Sequence, residues 1–390
     1  MPKQKNIRRL RNFSFFFMFF ISIPVLVPYS LSLGLSMQEI FEVQSFFAFM
    51  VAVLEIPSGY YCDLYGRRKT LILGGVFYGI GFTLLSFVTT FKGMLLYELF
   101  TALAFSLISG ADVAFLYDQM DETHSREDKS KALAQIQFSQ TTAEAVGSIL
   151  GGFFASISLK LPFILQSVVS WFPLFIAFTF VEVRHVSRTT KHKENFLKVL
   201  KELLHIKNRY TLMNLVIWSL STFCSVWILQ KYWQDQHVPL AYFGMLWAFF
   251  NFSAGVAGKN ITYLKSYIRE EKILLLAGTF PIIAYLGLGL IPGQIALVFA
   301  LFFYLGRGLM QVILREQFNH HLTDDMRATA NSVQSFLFRI LFAVIGPIIG
   351  FSLDQNGTRN TITYLGLIFA FLYFITLFPY TKKLTLEKNN

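Results

Sequence analysis

Six Asp, Glu and Arg residues lie well inside long apolar stretches of this 390-residue chain, where a charged side chain is costly. A carboxyl group removed from water can load and release a proton, and a guanidinium group can pair with an acid or bind an anion. Two basic groups cannot pair one-to-one with four acidic groups, so at least one carboxyl is a candidate for proton exchange. The structural alternative is that the arginines neutralise neighbouring acids and hold helices in register. The six residues are Glu55, Glu98, Asp112, Glu144, Arg307 and Arg339.

The apolar stretches are the elements that must position these side chains. Hydrophobic residues make up 54% of the chain and charged residues only 15%, whereas soluble proteins carry about 25% charged residues. Twelve stretches have the length of a membrane-spanning helix, which needs about 20 apolar residues. We place them at 12–33, 40–62, 70–90, 93–118, 131–158, 162–181, 209–232, 240–258, 273–291, 293–318, 328–352 and 361–380.

The distribution of basic residues orients these spans. Of the 34 Lys and Arg residues, 28 fall in the termini, in alternate loops or at the span ends beside them, and four fall in or beside the remaining loops. By the positive-inside rule both termini are cytoplasmic, and we expect a cell membrane location, as in a bacterial inner membrane. The net charge of +11 therefore reflects topology and not nucleic-acid binding. The long basic loop 182–208 separates a six-helix half, 1–181, from a second one, 209–390; its segment Phe196–Ile206 is predicted to form a surface amphipathic helix.

The six residues are predicted to lie at different depths in the membrane. At about 1.5 Å per helical residue, Glu144 and Arg339 lie roughly 17–20 Å from the cytoplasmic face, near the midplane. Glu55 and Asp112 lie nearer the cytoplasmic side and Glu98 nearer the outside. We expect Glu144, Asp112 or both to carry a proton, with Arg339 tuning them or receiving an anionic group. For Arg307 and Glu55 the structural and functional interpretations remain open.

The other chemistry-bearing residues point away from an enzyme. All seven histidines lie in loops or at span ends, and Cys62 and Cys224 have no metal-ligand spacing. No phosphate-binding loop of the Walker type is present. We therefore expect no catalytic residues, no metal and no cofactor. A membrane-embedded enzyme or a non-transporting sensor remains the alternative of another class, although a sensor would not need several acids inside its spans.

The turn between the second and third spans has a distinctive pattern. Gly66 permits a tight turn because it has no Cβ atom, and Asp63 precedes Arg67 by four residues, so that the two can pair. The pattern Gly-x-x-x-Asp-x-x-Gly-Arg-Arg over residues 59–68 resembles the signature between helices 2 and 3 of the major facilitator superfamily. The segment 109–118, Ser-Gly-Ala-Asp-Val-Ala-Phe-Leu-Tyr-Asp, resembles a pattern at the end of helix 4 in many bacterial members.

This resemblance implies a fold of twelve helices in two six-helix halves and a transporter that works by alternating access. It also implies a charge latch that holds the inner faces together while the transporter is open outward. Two positions depart from the pattern of proton-driven drug exporters: Glu98 stands in place of an Arg and Ser148 in place of a Pro. The latch residues are Gly59, Asp63, Gly66, Arg67, Arg68 and Asp118.

A weak internal repeat supports two halves. Gly147–Gly151 and Gly346–Gly350 share glycines four residues apart with an offset of 199 residues, and such glycines let helices approach closely. Pro24, Pro28 and Pro347 are expected to kink or locally unwind their spans. The helix-packing residues of this prediction are Gly147, Gly151, Gly346, Pro347 and Gly350, and Ser36 with Glu39 is expected to form a capping box at the second span.

We therefore predict an all-α membrane protein with a major facilitator fold. It is expected to be a secondary active transporter that exports a small organic solute in a proton-coupled reaction. Proton-coupled uptake of a nutrient or metabolite is the alternative. The expected partners are a small-molecule substrate, protons and the lipid bilayer, and the protein is expected to be a monomer.

Overall fold

Helices make up the architecture of this chain, which a computed structural model describes at residues 2–120, 125–181, 206–320 and 322–389. No strand occurs among these residues, so the predicted all-α class is confirmed for them. Contacts divide the chain into two compact units. Unit 1 is Met1–Thr189 with Val238–Ala248, and unit 2 is Thr190–His237 with Phe249–Asn390. The predicted basic linker and its amphipathic helix lie outside the described residues up to position 205.

Unit 1 begins with a broken helix and continues with long helices joined by short turns. A short 3₁₀ turn at Ile23–Val25 separates its first two helices. The helices are α1 (Pro2–Phe17), α2 (Leu26–Ser32), α3 (Met37–Tyr65), α4 (Arg67–Phe87), α5 (Phe91–Ile108), α6 (Ala111–Gln119), α7 (Arg126–Ile157), α8 (Leu161–Val169) and α9 (Phe172–Phe178).

Unit 2 also consists of helices joined by short connections. A 3₁₀ segment, Gln294–Phe299, precedes α14, and a π-helical segment, Tyr373–Leu377, joins the last two helices. Helix α11 crosses the division, since its first residues belong to unit 1. The helices are α10 (Ile206–Asp235), α11 (Leu240–Lys259), α12 (Ile261–Tyr267), α13 (Glu270–Leu290), α14 (Ala300–His320), α15 (Asp324–Asn356), α16 (Thr358–Leu372) and α17 (Phe378–Asn389).

Ten helical stretches of the described residues are long and apolar enough to cross a membrane, which indicates a multi-pass membrane protein. They match the predicted spans except the first and the fifth. The fifth is α7, a helix of 32 residues whose positions 135–144 are mostly Gln, Ser, Thr and Glu, so its hydropathy is low. The first span contains no single helix long enough to cross a membrane, because its helix is interrupted between Phe17 and Ile23.

This interruption has a local cause and is stabilised by neighbouring helices. Pro24 has no N–H group, so it cannot donate to the carbonyl of Phe20, four residues earlier, as an unbroken helix would require. The freed backbone finds side-chain partners: Ile21 N–H donates to Gln166 Oε1 at 2.6 Å, and the Tyr78 hydroxyl donates to Phe17 O at 2.6 Å. Non-helical backbone at membrane depth requires such partners inside the protein.

Several local predictions are confirmed. Ser36 and Glu39 form a reciprocal capping box at the start of α3, and Gly66 adopts φ +90° between α3 and α4.

Helices α2 and α15 run unbroken through Pro28 and Pro347, so local unwinding is absent there. Pro28 lies in the first turn of α2, where a missing N–H costs little. At Pro347, the long helix α15 continues on both sides.

Glycines on α7 allow two close backbone contacts in unit 1. A Cβ atom added at Gly147 would lie 2.9 Å from Phe20 N, and one added at Gly151 would lie 2.0 Å from Ile21 O. These residues therefore seat α7 against the interruption between α1 and α2. On α15 the corresponding glycines of the internal repeat, Gly346 and Gly350, are buried.

Ser148, which follows Gly147 on α7, contacts α11. This contact predicts how substitutions on α11 change the thermal stability of the protein. A Cβ atom added at Gly244 would lie 1.8 Å from Ser148 O, whereas one at Gly255, on the same helix, would meet nothing within 4 Å. We expect Gly244→Ala to lower the thermal unfolding temperature clearly, since overpacking costs about 1–3 kcal/mol. Gly255→Ala is the matched control and is expected to be neutral. Thermal unfolding followed by size-exclusion chromatography measures both, and equal stability of the two variants would contradict the contact.

Candidate functional site

A charge cluster lies where α3 meets α4 and comprises Asp63, Arg67 and Asp118. Arg67 Nη1 lies 2.8 Å from Asp63 Oδ1, and Arg67 Nε lies 3.8 Å from Asp118 Oδ2 at the end of α6. Arg67 Nη1 also donates to Cys62 Sγ at 3.0 Å. Asp63 and Arg67 belong to consecutive helices and not to one helix face, since Gly66 separates them.

Two other predicted latch residues lie outside the charge cluster. The Arg68 guanidinium donates to Phe178 O at 3.1 Å, so it caps the end of α9 instead of pairing with an acid. Gly59 is exposed on α3, and a Cβ atom added there would meet nothing within 4 Å. The charge cluster therefore contains fewer residues than the predicted latch.

Glu98 is buried between α3 and α5. Both carboxyl oxygens accept hydrogen bonds: Oε1 from Gln44 Nε2 at 2.8 Å and Oε2 from the Thr101 hydroxyl at 2.8 Å. Its side chain is 3% exposed. This arrangement explains Glu98 as a buried hydrogen-bonded contact between two helices.

We therefore expect Glu98→Gln to keep full transport activity. The amide oxygen of glutamine can accept from Gln44, and the Thr101 hydroxyl can rotate to accept from the amide N–H. Glu98→Ala leaves buried donors unsatisfied and is expected to cost about 1–3 kcal/mol. Thermal unfolding and a transport assay of both variants check this, and loss of activity in Glu98→Gln would return Glu98 to the proton-coupling candidates.

Asp112 and Glu55 occupy different surroundings. Asp112 lies in the first turn of α6 after Gly110, and its Oδ1 accepts from Val113 N–H at 2.7 Å. A carboxylate there complements the helix dipole, so a helix-terminal role explains Asp112. Glu55 is half-buried on α3, where its carbonyl oxygen accepts from the Ser58 hydroxyl at 3.0 Å.

Glu144 lies on α7 and meets α11. Its Oε1 accepts a hydrogen bond from Trp247 Nε1 at 3.0 Å, and the Trp247 side chain is buried. The partner is neutral and can only donate. The contact that joins Glu144 to α11 is therefore a hydrogen bond from a neutral donor and not an ion pair.

The two arginines of the predicted spans lie in unit 2. Arg307 on α14 donates from Nη2 to Asn251 Oδ1 at 2.6 Å, and its Cζ lies 4.8 Å from the centre of the Tyr304 ring. Arg339 on α15 donates from Nε to the Ser335 hydroxyl at 3.3 Å. Four acids of the predicted set thus lie in unit 1 and both arginines in unit 2.

Sequence reasoning missed the partners of Glu144 and Arg307. Trp247 and Asn251 both lie on α11 and are four residues apart, so they share one helix face. An indole and an amide four residues apart in an apolar stretch could have indicated a polar face on this helix. Helix α11 thus contributes a donor for an acid in unit 1 and an acceptor for a cation in unit 2.

A second group of charges occurs in unit 2, at the end predicted to be cytoplasmic. Lys265 Nζ on α12 lies 2.6 Å from Glu316 Oε2 and 2.9 Å from Glu270 Oε2. Burial lowers the pKa of the Lys265 ammonium, but its hydrogen bonds to Glu316 and Glu270 outweigh this and raise the pKa above its ordinary value. Gln317 and Tyr380 extend these bonds towards α17.

The sequence matches one protein family. The family model described as Major Facilitator Superfamily matches residues 11–347. The uncharacterised MFS-type transporter MJ1560 of Methanocaldococcus jannaschii is 25% identical over 159 residues, which are 39% of this chain and 40% of that protein. Multidrug resistance protein 2 of Bacillus subtilis is 24% identical over 192 residues, 47% of this chain and 46% of that protein. The matched segments thus span less than half the length of these curated relatives.

Solved structures extend the comparison to nearly the whole chain. The structure of the nucleoside transporter NupG superposes with a TM-score of 0.74 at 13% identity, and the match covers 96% of this chain and 98% of the NupG chain. A bacterial homologue of the human lysosomal transporter Spinster has a TM-score of 0.75 at 14% identity and covers 98% and 97%. At such identities the likeness shows the fold alone. With the family match over residues 11–347, the chain belongs to the Major Facilitator Superfamily.

Proposed function

We propose that this protein is a secondary transporter that moves a small organic solute across the cell membrane by alternating access, coupled to protons. Glu144 carries the coupling in this proposal. It lies inside a predicted span, and its side chain accepts a hydrogen bond from the neutral indole of Trp247. A charged residue at membrane depth with a neutral partner is a candidate for proton transfer.

Export is the direction that we favour. The relative named Multidrug resistance protein 2 supports it, although that match covers 46% of that protein. Both termini are cytoplasmic in this proposal, the membrane is the bacterial inner membrane, and the transporter acts as a monomer. The charge cluster of Asp63, Arg67 and Asp118 stabilises one of the two alternating states, because its bonds can be made and broken.

Proton-coupled uptake of a metabolite is the second candidate. The structural neighbours include a nucleoside transporter and a POT family transporter in complex with a thioalcohol conjugated peptide, the latter with a TM-score of 0.75 at 13% identity over 96% of this chain and 95% of that one. These names suggest metabolite-sized cargo.

Proton flux in liposomes tests the proposal. Purified protein is reconstituted with a pH-sensitive dye inside, and cationic, zwitterionic and anionic compounds are added outside. Alkalinisation of the interior on solute addition means exchange of solute for protons, and acidification means movement of both together. Solute movement without any pH change would remove the proton from the mechanism, and no solute movement across the panel would contradict transport.

A further inference from the structure

An open groove lies in unit 1 between α1 and α7. Its volume of about 480 Å³ falls in the range of about 300–1,000 Å³ that is typical of pockets for small organic molecules. The two helices touch beside it, where the Ser139 hydroxyl donates to Arg11 O at 3.4 Å. The groove is lined from α1 by Arg11 and Phe15, and from α7 mainly by Ala134, Gln135, Phe138 and Thr142.

The α7 side of this groove is too polar to face lipid. Seven of the ten residues 135–144 are polar, and Gln135, Gln137 and Thr141 among them are exposed. The stretch extends from about 6 Å to about 20 Å from the end of the fifth span that is predicted to be cytoplasmic. Polar side chains inside a membrane span face the protein interior or a water-filled cavity. A molecule that enters the groove therefore comes from the aqueous phase.

Arg11 supplies a positive charge to the groove. Its side chain is exposed, and it forms no ion pair and donates no hydrogen bond within the part of the chain that the structure describes. Arg9, two residues earlier, donates instead to Thr179 O at 2.6 Å. The five N–H donors of the Arg11 guanidinium form a fork that matches carboxylate and phosphate groups. These donors are available to an acidic group in the groove.

The other lining side chains add two kinds of contact. The Gln135 amide is a second donor. The Thr142 hydroxyl donates to Phe138 O at 2.8 Å, so its oxygen remains an acceptor. Phe15 and Phe138 provide apolar surface, and Phe138 is 76% exposed. The groove thus combines a cation, polar groups and two aromatic rings, which together suit a molecule that is acidic at one end and apolar at the other.

We propose that this groove binds an amphipathic organic acid, whose carboxylate, sulfonate or phosphate group contacts Arg11 and Gln135. The apolar body of the acid packs against Phe15 and Phe138. This inference rests on the proposed function, because it names the class of solute that the transporter carries. Solute binding and proton binding, through Glu144, then both involve α7.

Binding of matched anionic and neutral probes tests this site without requiring transport. The full chain is placed in phosphatidylcholine nanodiscs, and thermal unfolding is followed at rising probe concentration, since a ligand that binds the folded state raises the unfolding temperature. The pairs are cinnamate and cinnamamide, benzenesulfonate and benzenesulfonamide, and phenyl phosphate and phenol. We expect the anionic member of at least one pair to bind more tightly. Equal effects of both members in every pair would overturn the inference.

Charge variants assign that binding to Arg11. Loss of a charge-assisted contact is expected to weaken binding about ten- to a hundredfold in Arg11→Gln. Arg11→Lys keeps the charge but not the fork and is expected to lie between. Arg8→Gln removes the same charge from an exposed position one turn earlier on α1, outside the groove lining, and is the matched control. Unchanged binding in both Arg11 variants, or an equal loss in Arg8→Gln, would contradict the assignment.

A filling variant locates the binding in the groove itself. Ala134 is an exposed lining residue, and Ala134→Trp places an indole in the groove while Arg11 keeps its charge. We expect anion binding to weaken about tenfold or more, because the probe and the indole compete for the same space. Gln137→Trp adds the same side chain at an exposed position of α7 that does not line the groove, and it is expected to bind as wild type. Undiminished binding in Ala134→Trp would place the anion elsewhere and overturn the site.

An anionic phospholipid headgroup carries the same chemistry as the proposed solute, so one arm separates the two sources. Repeating the titration in discs with added phosphatidylglycerol is expected to leave the affinity for the soluble anion unchanged. Competition by this lipid would overturn the solute assignment. Anion binding without transport in liposomes would contradict the proposed function alone, and transport of neutral or cationic compounds only would contradict the present inference alone.

Discussion

Glu144→Gln is expected to reduce solute-dependent proton movement to the level of protein-free liposomes while the protein still folds and inserts. The amide of glutamine keeps an oxygen that can accept from Trp247 Nε1, which lies 3.0 Å from Glu144 Oε1. The substitution therefore removes the exchangeable proton and keeps the hydrogen bond between α7 and α11. Proton flux read by an internal pH-sensitive dye measures the effect.

Solute exchange in the same variant distinguishes the two directions of coupling. Glutamine mimics the protonated carboxyl group. If the protonated protein binds solute, as in uptake together with a proton, exchange of labelled for unlabelled solute persists in Glu144→Gln. If the deprotonated protein binds solute, as in export against a proton, exchange is lost as well.

Two further variants make this prediction specific. Trp247→Phe keeps an aromatic ring but removes the N–H donor, and we expect transport to fall about two- to tenfold, the value of one hydrogen bond. Glu127→Gln makes the same chemical change on α7 at an exposed side chain that pairs with Lys131, and it is expected to behave as wild type. Proton movement at the wild-type rate in Glu144→Gln would remove Glu144 from the coupling mechanism.

Asp63→Asn is expected to lower the transport rate by about tenfold or more without loss of inserted protein. Asparagine is nearly isosteric with aspartate but cannot neutralise Arg67, whose Nη1 lies 2.8 Å from Asp63 Oδ1. The remaining acid, Asp118, lies farther away at 3.8 Å from Arg67 Nε. Weakening one state of an alternating pair shifts the population away from balance and slows the cycle. Initial rates of solute movement and size-exclusion profiles measure the two quantities.

The control for this variant is again Glu127→Gln. Glu127 and Lys131 have the same four-residue spacing and the same 2.8 Å separation as Asp63 and Arg67. Both side chains are exposed, and such surface pairs contribute little. A rate equal to wild type in Asp63→Asn would exclude a latch role for the charge cluster, whereas a loss in both variants would indicate a general effect of removing a surface charge.

The sequence determined those features whose interacting groups are close along the chain. The capping box of Ser36 and Glu39 joins groups three residues apart, and Asp63 and Arg67 lie four residues apart across Gly66. Hydrophobic runs likewise predicted the spans, because each span must bury its own backbone hydrogen bonds in lipid. Twelve spans were predicted, and the described residues contain ten helical stretches apolar and long enough to cross a membrane. The two exceptions are α7, which is too polar, and the first span, which is broken before Pro24.

Only the tertiary structure decided which partner each charged side chain meets. Glu144 and Trp247 are 103 residues apart, Arg307 and Asn251 are 56 apart, and Arg68 reaches a carbonyl 110 residues away instead of joining the charge cluster. An apolar stretch in the sequence shows that an ionisable residue within it is costly to place in a membrane. It does not show in which direction the side chain of that residue points. That direction depends on the rotation and crossing of helices, which are set by contacts such as those of Gly151 and Gly244 with the backbone of distant segments.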